Sequence, residues 1–388
     1  MLEPRTSTIR PDAAHVAPPS GTAAAALTLG VEEEFLLVDA VTGRPAPVAP
    51  ELLAAVGGPG PRIQGEATRY QVEIASPVAA TADELRASLR SLRGTLAAAA
   101  RELGSRLVAS PVPLLGPVGP PLMSNYRPRQ LAIQGRFGSL AHTLVCCGRH
   151  VHVGPLDTAG AVASANRMRP WTPTLIAIGA NSPYAYGADT GHACWRTVAW
   201  SGWPSAGCMP HFADSKEYER AVRRLVGAGA AVDPNMVYWD LRPSRVWPTL
   251  EIRAPDVSPD VDHAVLFAVL GRALVLTGQH ADRDGLPVPE VPDDLLRLAR
   301  WRAAHDGLEG QALNPFTGAE VPAADLAEDL LERLAPALAQ TGDLDFAADA
   351  LHDLIRSGSW AARQREVHAR RGELGDVVGF LADATERV

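Results

Sequence analysis

Lysine is almost missing from this 388-residue chain, because of the 36 Lys and Arg residues only Lys216 is lysine. A Walker phosphate loop, a kinase-type ATP lysine and a Schiff-base enzyme each need a lysine in a defined context. The segment around Lys216, DSKEY at residues 214–218, fits none of these contexts. The sequence therefore argues against these three kinds of chemistry.

Cysteine and long apolar runs are also scarce. The four cysteines show neither the C-x-x-C spacing of a zinc site nor a disulfide framework, which indicates a reducing compartment. No run of about 18 apolar residues occurs, and the N-terminus lacks a basic region followed by an apolar one, so we expect a cytoplasmic protein. The net charge of −8 argues against nucleic-acid and membrane partners and favours small molecules.

An acidic strand is predicted at residues 29–39, where Glu32, Glu33 and Glu34 interrupt an otherwise apolar run. Successive side chains of a strand point to opposite faces, so Glu32 and Glu34 share one face while Glu33 lies on the other. Two carboxylates about 7 Å apart on one strand face suit hard cations. An edge strand that uses charge against aggregation is the alternative interpretation.

Three further segments place polar side chains on one strand face and apolar ones on the other. Their polar members are Glu66 with Glu73, His150 with His152, and Glu251 with Arg253. The alternatives are a solvated face, satisfied core histidines and a surface salt bridge, respectively. Because the pattern occurs four times, it favours one shared site.

Helices are predicted between and after these strands. A capping box, Thr81 to Glu84, begins a helix over residues 82–103, and further helices are expected near 127–141 and 161–180. Ser258 as N-cap and Pro259 as the first helical residue predict a helix that ends near residue 277. Residues 292–386 are predicted to be helical, with Pro336 interrupting one segment.

Four such strands predict an α+β fold with a mostly antiparallel sheet, helices on one face and a charged trough on the other. Five carboxylates would lie in this trough: Glu32, Glu34, Glu66, Glu73 and Glu251. Two or three Mg²⁺ or Mn²⁺ ions would balance them, and oxygen ligands with one imidazole suit such ions better than zinc. Loss of the Glu251 charge should then relieve repulsion and leave the fold intact. Metal ions beside Arg253 suggest a clamp for a nucleoside triphosphate.

Taken in order, these motifs resemble the type 2 glutamate–cysteine ligase family, also called carboxylate–amine ligases, of the glutamine synthetase superfamily. The resemblance is carried by GVEEEF at 30–35, QVE at 71–73, HVHVG at 150–154, ANSP at 180–183, DTG at 189–191, YWDLRPS at 238–244 and PTLEIR at 248–253. It covers residues 27–388, which we expect to form a single catalytic domain, whereas residues 1–26 are predicted to be a disordered tail. The resemblance implies a curved antiparallel sheet around the active site, ATP and two or three divalent metal ions.

The resemblance also implies roles for individual positions. Glu32, Glu66 and Glu73 would hold one metal ion, and Glu34, His150 and Glu251 another. His152 and Arg253 would act on the transferring phosphoryl group. Charge and context make Arg196 and Arg242 candidates for the α-carboxylate of the substrate, and Asn181 is expected in the same substrate-binding region.

The implied reaction joins the side-chain carboxylate of glutamate to the amine of cysteine through an acyl phosphate. The same ligase chemistry on another amine or acid is an open alternative, and so is a metal-dependent phosphotransferase. A non-enzymatic metal- or nucleotide-binding protein is the third interpretation. The acceptor amine, the physiological metal and the oligomeric state, including a homodimer, stay open.

Overall fold

The computed structural model describes residues 26–116, 123 and 128–387, so residues 1–25 of the predicted tail lie outside the described residues. The strands are β1 Thr28–Asp39, β2 Ile63–Gly65, β3 Gln71–Ala75, β4 Ser105–Val108, β5 Arg149–Gly154, β6 Tyr184–Ala185, β7 Ala188–Asp189, β8 Ala206–Gly207, β9 Tyr238–Trp239, β10 Leu241–Pro243, β11 Leu250–Ile252, β12 Gln311–Leu313 and β13 Glu320–Pro322.

The α-helices are α1 Ala49–Ala55, α2 Ala82–Glu102, α3 Pro128–Phe137, α4 Thr158–Met168, α5 Thr172–Ile178, α6 Trp195–Trp200, α7 Ser215–Gly227, α8 Val261–Arg283, α9 Asp293–Asp306, α10 Ala323–Thr341, α11 Leu344–Ser357, α12 Trp360–Arg371 and α13 Leu374–Thr385. Short 3₁₀ helices span Gly138–Leu144, Arg169–Trp171 and Pro234–Met236.

The main sheet has seven strands in the order β10-β11-β5-β1-β3-β2, with β4 also pairing with β1. Each of these pairings is antiparallel. The predicted α+β fold with an antiparallel sheet is therefore confirmed. The long strand β1 pairs with β3, β4 and β5, so the acidic segment lies in the middle of the sheet. This position contradicts the edge-strand interpretation.

Helices α2 and α8 pack on the apolar face of the sheet. Leu85 and Leu89 of α2 and Val265 of α8 belong to the same buried cluster as the apolar side chains of β1, β3 and β5. Close approach of α8 requires a small residue, because a Cβ atom at Gly271 would lie 2.6 Å from Cδ1 of Ile252. The opposite face of the sheet is left for the polar side chains.

Glu33, the middle glutamate of β1, lies on the helix side and is paired with Arg93 of α2. Nη2 of Arg93 lies 2.6 Å from Oε1 of Glu33, and Nε lies 2.9 Å from Oε2. Both side chains are fully buried. Arg93 also donates to the carbonyl oxygens of Ser258 and Pro259 at 2.9 and 2.6 Å. The buried charge of Glu33 is therefore balanced and hydrogen-bonded.

The helix predictions are only partly right. Helix α2 begins with the predicted capping box of Thr81 and Glu84. Helix α8 instead begins at Val261, because Asp260 rather than Ser258 caps it, and it continues to Arg283. Pro336 lies within α10 without ending it. The proline is exposed to solvent, where water can bond the carbonyl group that it leaves free.

Helix α8 is long and apolar enough to cross a membrane by length and composition. Within the described residues, however, 83% of its most apolar window is buried inside the protein. Its position against the sheet accounts for its apolar character, so we interpret α8 as the central core helix.

Candidate active site

The polar face of the sheet is the floor of the candidate active site, and strand register determines which side chains meet there. Pairing of β1 with β5 puts Glu32 opposite His150, and pairing of β1 with β3 puts Glu34 opposite Glu73. Pairing of β11 with β5 puts Glu251 opposite His152. The predicted alternation of faces is borne out, since all these side chains converge on one side. We call this face the trough.

Among the described residues, the acids and histidines of the trough form three groups whose candidate ligand atoms lie within 4.8 Å of one another. The groups are Glu34 with Glu66 and Glu73, Glu32 with Glu73 and His150, and Glu32 with His152 and Glu251. The predicted sets, Glu32 with Glu66 and Glu73 and Glu34 with His150 and Glu251, are not among them. Register explains the difference, because Glu34 lies opposite Glu73 while His150 lies opposite Glu32.

Glu251 is held by two arginines. Arg242 on β10 donates from Nε to Oε2 at 2.7 Å and from Nη2 to Oε1 at 3.1 Å, and Nη1 of Arg253 also donates to Oε1. Burial acts to raise the pKa of Glu251, but Arg242 and Arg253 outweigh it and keep the pKa well below its usual range. The expectation that Glu251 adds uncompensated negative charge to the trough is therefore wrong.

Glu32 lies between the two histidines of β5. Its Oε2 lies 3.1 Å from Nδ1 of His150, and its Oε1 lies 3.4 Å from Nε2 of His152. Burial opposes ionisation of Glu32, yet the hydrogen bonds to His150 and His152 lower its pKa. Burial, with the charge of Arg253, lowers the pKa of His150 to about 4. His150 is therefore neutral at physiological pH, the form in which an imidazole binds a metal ion.

Glu34 and Glu73 have the opposite character. Burial raises the pKa of Glu34 to about 8, and the nearby Glu66 carboxylate adds to the rise, although the Gly148 amide donates to Oε2 at 2.6 Å. Burial, then Glu32, Glu66 and Glu34, raises the pKa of Glu73 well above its usual range. Both carboxyl groups at this end of the trough therefore hold a proton more firmly than an exposed glutamate does.

A cavity of about 350 Å³ opens above the trough. The predicted residues that line it are Glu32, Glu34, Glu66, Glu73, His150, Arg196, Arg242 and Arg253. Glu251 and His152 lie at its floor, where they are 2% and 8% exposed. Nδ1 of His152 lies 2.8 Å from Oγ1 of Thr249, which fixes the ring.

The sequence interpretation missed other lining residues. Arg129 and Gln130 come from α3, Trp200 ends α6, and Asn235 and Tyr238 precede β10. Only Tyr238 lies in a motif that the resemblance used, and no spacing pattern links α3 or α6 to the acidic strands. Arg129 is itself held by Asp233, with Nε 2.6 Å from Oδ2.

The two arginines proposed for substrate binding differ in their contacts. Arg196 is anchored by the carbonyl oxygens of residues 253–255 at 3.2–3.4 Å and lies 3.6 Å from Asp256. A Cβ atom at Gly148 would lie 2.4 Å from its Nη2, so the glycine makes room for the guanidinium. The remaining nitrogen of Arg242, Nη1, donates to the carbonyl oxygens of Asn235 and Val237. Both guanidinium groups are thus held in place by protein groups at the edge of the cavity.

Asn181 does not line the cavity, which contradicts its predicted place at the substrate. Its side-chain amide donates to the carbonyl oxygens of Ala109 and Val257 at 3.0 and 2.8 Å and accepts from Gln364 at 2.7 Å. These contacts join the loop after α5 to β4 and α12. Both polar atoms of the Asn181 side chain are therefore hydrogen-bonded to protein groups outside the cavity.

The trough fits divalent metal ions by its donor chemistry. Each of the three groups offers carboxylate oxygens and at most one imidazole, the donors that Mg²⁺ and Mn²⁺ prefer over the thiolates and multiple histidines of zinc sites. The raised pKa values of Glu34 and Glu73 describe carboxylates that have no cation beside them. A bound cation would replace their protons.

Comparison with known proteins shows the family of the chain. Glutamate-cysteine ligase family 2 (GCS2) matches residues 28–379. A protein of Mycobacterium sp. (strain KMS), provisionally named glutamate–cysteine ligase 2-2, is 43% identical over 359 residues, which cover 92% of this chain and 98% of that protein. A protein of Saccharopolyspora erythraea, provisionally named glutamate–cysteine ligase 2-1, is 44% identical over 352 residues, which cover 91% and 93%.

Solved structures share the fold at low sequence identity. The glutamate–cysteine ligase of Francisella tularensis in complex with AMP superposes with a TM-score of 0.70 at 13% identity, covering 93% of this chain and 88% of that chain. A bifunctional glutathione synthetase from Pasteurella multocida gives the same TM-score at 15% identity, with 52% of that chain covered. The chain belongs to glutamate–cysteine ligase family 2 and is an ATP-dependent ligase.

Proposed function

We propose that this enzyme forms γ-glutamylcysteine by joining the side-chain carboxylate of glutamate to the amine of cysteine. The observation that carries the proposal is the single trough in which three groups of acids and histidines lie beside Arg253 and below one cavity. The provisional names of the relatives in Mycobacterium and Saccharopolyspora support the choice of substrates. Residues 27–388 would act as one catalytic domain.

The chemistry needs two steps, because a carboxylate is a poor acyl donor. The glutamate carboxylate first attacks the γ-phosphorus of ATP, which breaks the bond to ADP and gives an acyl phosphate. The cysteine amine then attacks the acyl carbon, phosphate leaves with the bonding electrons, and the nitrogen loses a proton. The products are the amide, ADP and phosphate.

We assign the protein groups by their positions. Arg253 is fixed by Glu251, lines the cavity and would stabilise negative charge on the phosphoryl group in transfer. His152, oriented by Thr249, would bind the same group. Arg196, with its guanidinium anchored on backbone carbonyls, would bind the α-carboxylate of the amino acid.

The acids and histidines of the trough would hold two or three Mg²⁺ or Mn²⁺ ions. The proposed ligands are Glu32, Glu34, Glu66, Glu73, His150 and Glu251. Bound ions would supply positive charge that neutralises the polyphosphate of ATP. We also propose a cytoplasmic enzyme with small amino acids and amines as partners, without nucleic acid or membrane, and either monomeric or a homodimer.

Purified protein incubated with ATP, Mg²⁺, glutamate and a panel of amines tests the proposal. We expect ADP release that requires both glutamate and cysteine, and a product with the mass of γ-glutamylcysteine. ADP release with glutamate alone and a stable phosphoryl product would identify a phosphotransferase instead. Amide formation with a different amine would preserve the ligase chemistry but overturn cysteine as the acceptor. Arg245→Lys, on a surface arginine, serves as the matched control for preparation quality.

A further inference from the structure

A second cavity, of about 510 Å³, lies outside the active site between α6 and α9. We call it the outer cavity. Its wall includes Val198 of α6, Ser201 directly after α6, Cys208 after β8, and Leu298 and Trp301 of α9. This volume is typical of small-molecule sites, which are mostly apolar with a few placed polar groups.

The outer cavity is separate from the catalytic cavity. Between them lies a space of only about 10 Å³, which Arg300 and Asp240 help to line. Nε of Arg300 lies 2.7 Å from Oδ2 of Asp240, and Nη1 donates to Oγ of Ser201 at 3.0 Å. Such a space holds about one water molecule, so substrate does not pass through it in this conformation. A molecule bound in the outer cavity would therefore lie apart from the catalytic cavity.

Two large apolar side chains in this wall are open to solvent. Leu298 is 48% exposed and Trp301 is 50% exposed, although both lie on a helix whose other face is packed in the core. Trp301 is stacked on His305 with ring centroids 5.2 Å apart, which holds the indole in place. Leu298 and Trp301 therefore give the outer cavity an apolar surface that is open to solvent.

The charged side chains in the wall of the outer cavity leave one positive charge without a partner among the described residues. Arg300 is neutralised by Asp240, and Asp293 is neutralised by Arg169. Arg297 is exposed and has neither an ion pair nor a hydrogen bond with the described part of the chain. One positive charge is therefore left over in an otherwise apolar wall.

Covalent or metal chemistry does not explain the outer cavity. Burial raises the pKa of the Cys208 thiol to about 12, so the thiol stays protonated and is a poor nucleophile. Among the described residues, the candidate metal groups all lie in the trough. The walls instead suit reversible binding of a small molecule.

We propose that the outer cavity binds a small carboxylate with an apolar body. The carboxylate pairs with Arg297, and the apolar body packs on Trp301, Leu298 and Val198. A small anion alone would leave the apolar side chains of the wall exposed to water. An uncharged apolar molecule would leave the guanidinium of Arg297 without an ion-pair partner. The two features together favour an amphipathic monoanion of about the size of an aromatic acid.

Calorimetric titration of the full chain with phenylacetate tests this proposal. Phenylacetamide has the same body without the charge, and acetate has the charge without the body. We expect one saturable site for phenylacetate and at least about tenfold weaker binding of either comparison compound, the scale of losing one charged hydrogen bond or one aromatic contact. Equal binding of phenylacetamide would overturn the proposal.

Variants locate the site. Arg297→Gln and Trp301→Ala should each weaken phenylacetate binding by about tenfold or more. Arg223→Gln, on an exposed arginine of α7, should leave it unchanged. Binding that survives both cavity variants would place phenylacetate elsewhere, for example at the arginines of the catalytic cavity, and would overturn the assignment.

Light scattering distinguishes a ligand site from a subunit interface. If Trp301→Ala converts a dimer into a monomer while phenylacetate fails to bind the parent protein, the apolar wall is a contact between two copies and the proposal is wrong. The expected result is one unchanged molar mass for the parent protein and both variants.

Discussion

Arg242 forms a two-point ion pair with Glu251 across the β10–β11 pairing, with Nε–Oε2 and Nη2–Oε1 distances of 2.7 and 3.1 Å. Arg253 adds a third hydrogen bond to the same carboxylate. Glu251 is thus the anion that holds two buried or half-buried guanidinium groups at the edge of the cavity. This relationship changes what its removal should do.

Glu251→Gln should abolish turnover and also lower the stability of the metal-free protein. The amide has no charge to balance Arg242 and Arg253, and breaking a buried pair on one side costs about 3–5 kcal/mol. Chemical denaturation without metal measures the loss. The matched variant is Glu66→Gln, which removes a carboxylate that raises the pKa of both Glu34 and Glu73 and should therefore increase metal-free stability. A Glu251→Gln protein that melts above the parent would contradict the ion-pair account.

Arg253→Lys should lower kcat by roughly 10²-fold or more, the scale of losing one preorganised donor at a transferring group. Lysine keeps the charge but lacks the planar guanidinium that contacts Glu251 and the cavity together. Steady-state kinetics with ATP as the varied substrate measures the effect, and Arg245→Lys is the control. An increase in KM for ATP with kcat unchanged would mean that Arg253 supplies ground-state binding instead.

The metal-free protein should lose stability as the pH rises from 6.5 to 8. Burial raises the pKa of Glu34 to about 8 in the folded protein, whereas an unfolded chain has a glutamate pKa of about 4.3. Over this pH range the unfolded chain has therefore already lost the proton that the folded chain keeps. The unfolded state then binds fewer protons, and the free energy of unfolding falls by roughly 1–2 kcal/mol. Below pH 6.5 the lowered pKa of His150 acts in the opposite direction, which limits the window.

Thermal unfolding with a chelator at several pH values measures this dependence. Glu34→Gln should flatten the curve between pH 6.5 and 8, because the amide does not titrate. A parent protein whose stability rises across the window would show that Glu34 is ionised without metal.

Metal binding should release protons at pH 7. Glu34, whose pKa is raised to about 8 by burial, keeps its proton at pH 7 in the metal-free trough, and burial raises the pKa of Glu73 as well. A divalent ion needs both groups as carboxylates. Calorimetric titration with Mg²⁺ in two buffers of different ionisation enthalpy counts the protons. The apparent affinity should rise as the pH approaches 8. Equal heats in both buffers would contradict the raised pKa values.

Arg93→Met should destabilise the fold by about 3–5 kcal/mol, because Glu33 would keep a buried charge without its hydrogen-bonded partner. Glu33→Gln combined with Arg93→Met should recover part of the loss. The unfolding free energies of the two single variants and the double variant measure the coupling. Additive losses would show that the two side chains act independently.

The polar pattern of the strands could be predicted because it is local. Alternation along one strand suffices to put Glu32 with Glu34 and His150 with His152 on one face, and the Thr81 capping box is a four-residue signal. The partition of ligands into groups could not be predicted this way. It depends on the register between paired strands whose facing site residues are 39 to 118 residues apart, which no local pattern records.

Other misses have the same origin. Asn181 lies in a polar loop that resembles a pocket lining, but its partners Ala109, Val257 and Gln364 come from three distant segments. The cap of α8 was misplaced because Ser258 and Asp260 are both good caps, and only the backbone hydrogen bond from Asp262 to Asp260 decides between them. Tertiary contacts choose among residues that are locally equivalent.

The buried pair of Glu33 and Arg93 also bears on how β1 finds its alignment. A slip of one residue would exchange the faces of every side chain in the strand. One of the outer glutamates could then replace Glu33 beside Arg93, but the other would lie about 7 Å away among apolar side chains, with a single carboxylate left for the trough. Such an alignment would bury an unpaired charge at a cost of several kcal/mol. The ion pair with Arg93 therefore favours the observed register of β1. In that register Glu32 and Glu34 both lie on the trough face, which Arg93 does not contact.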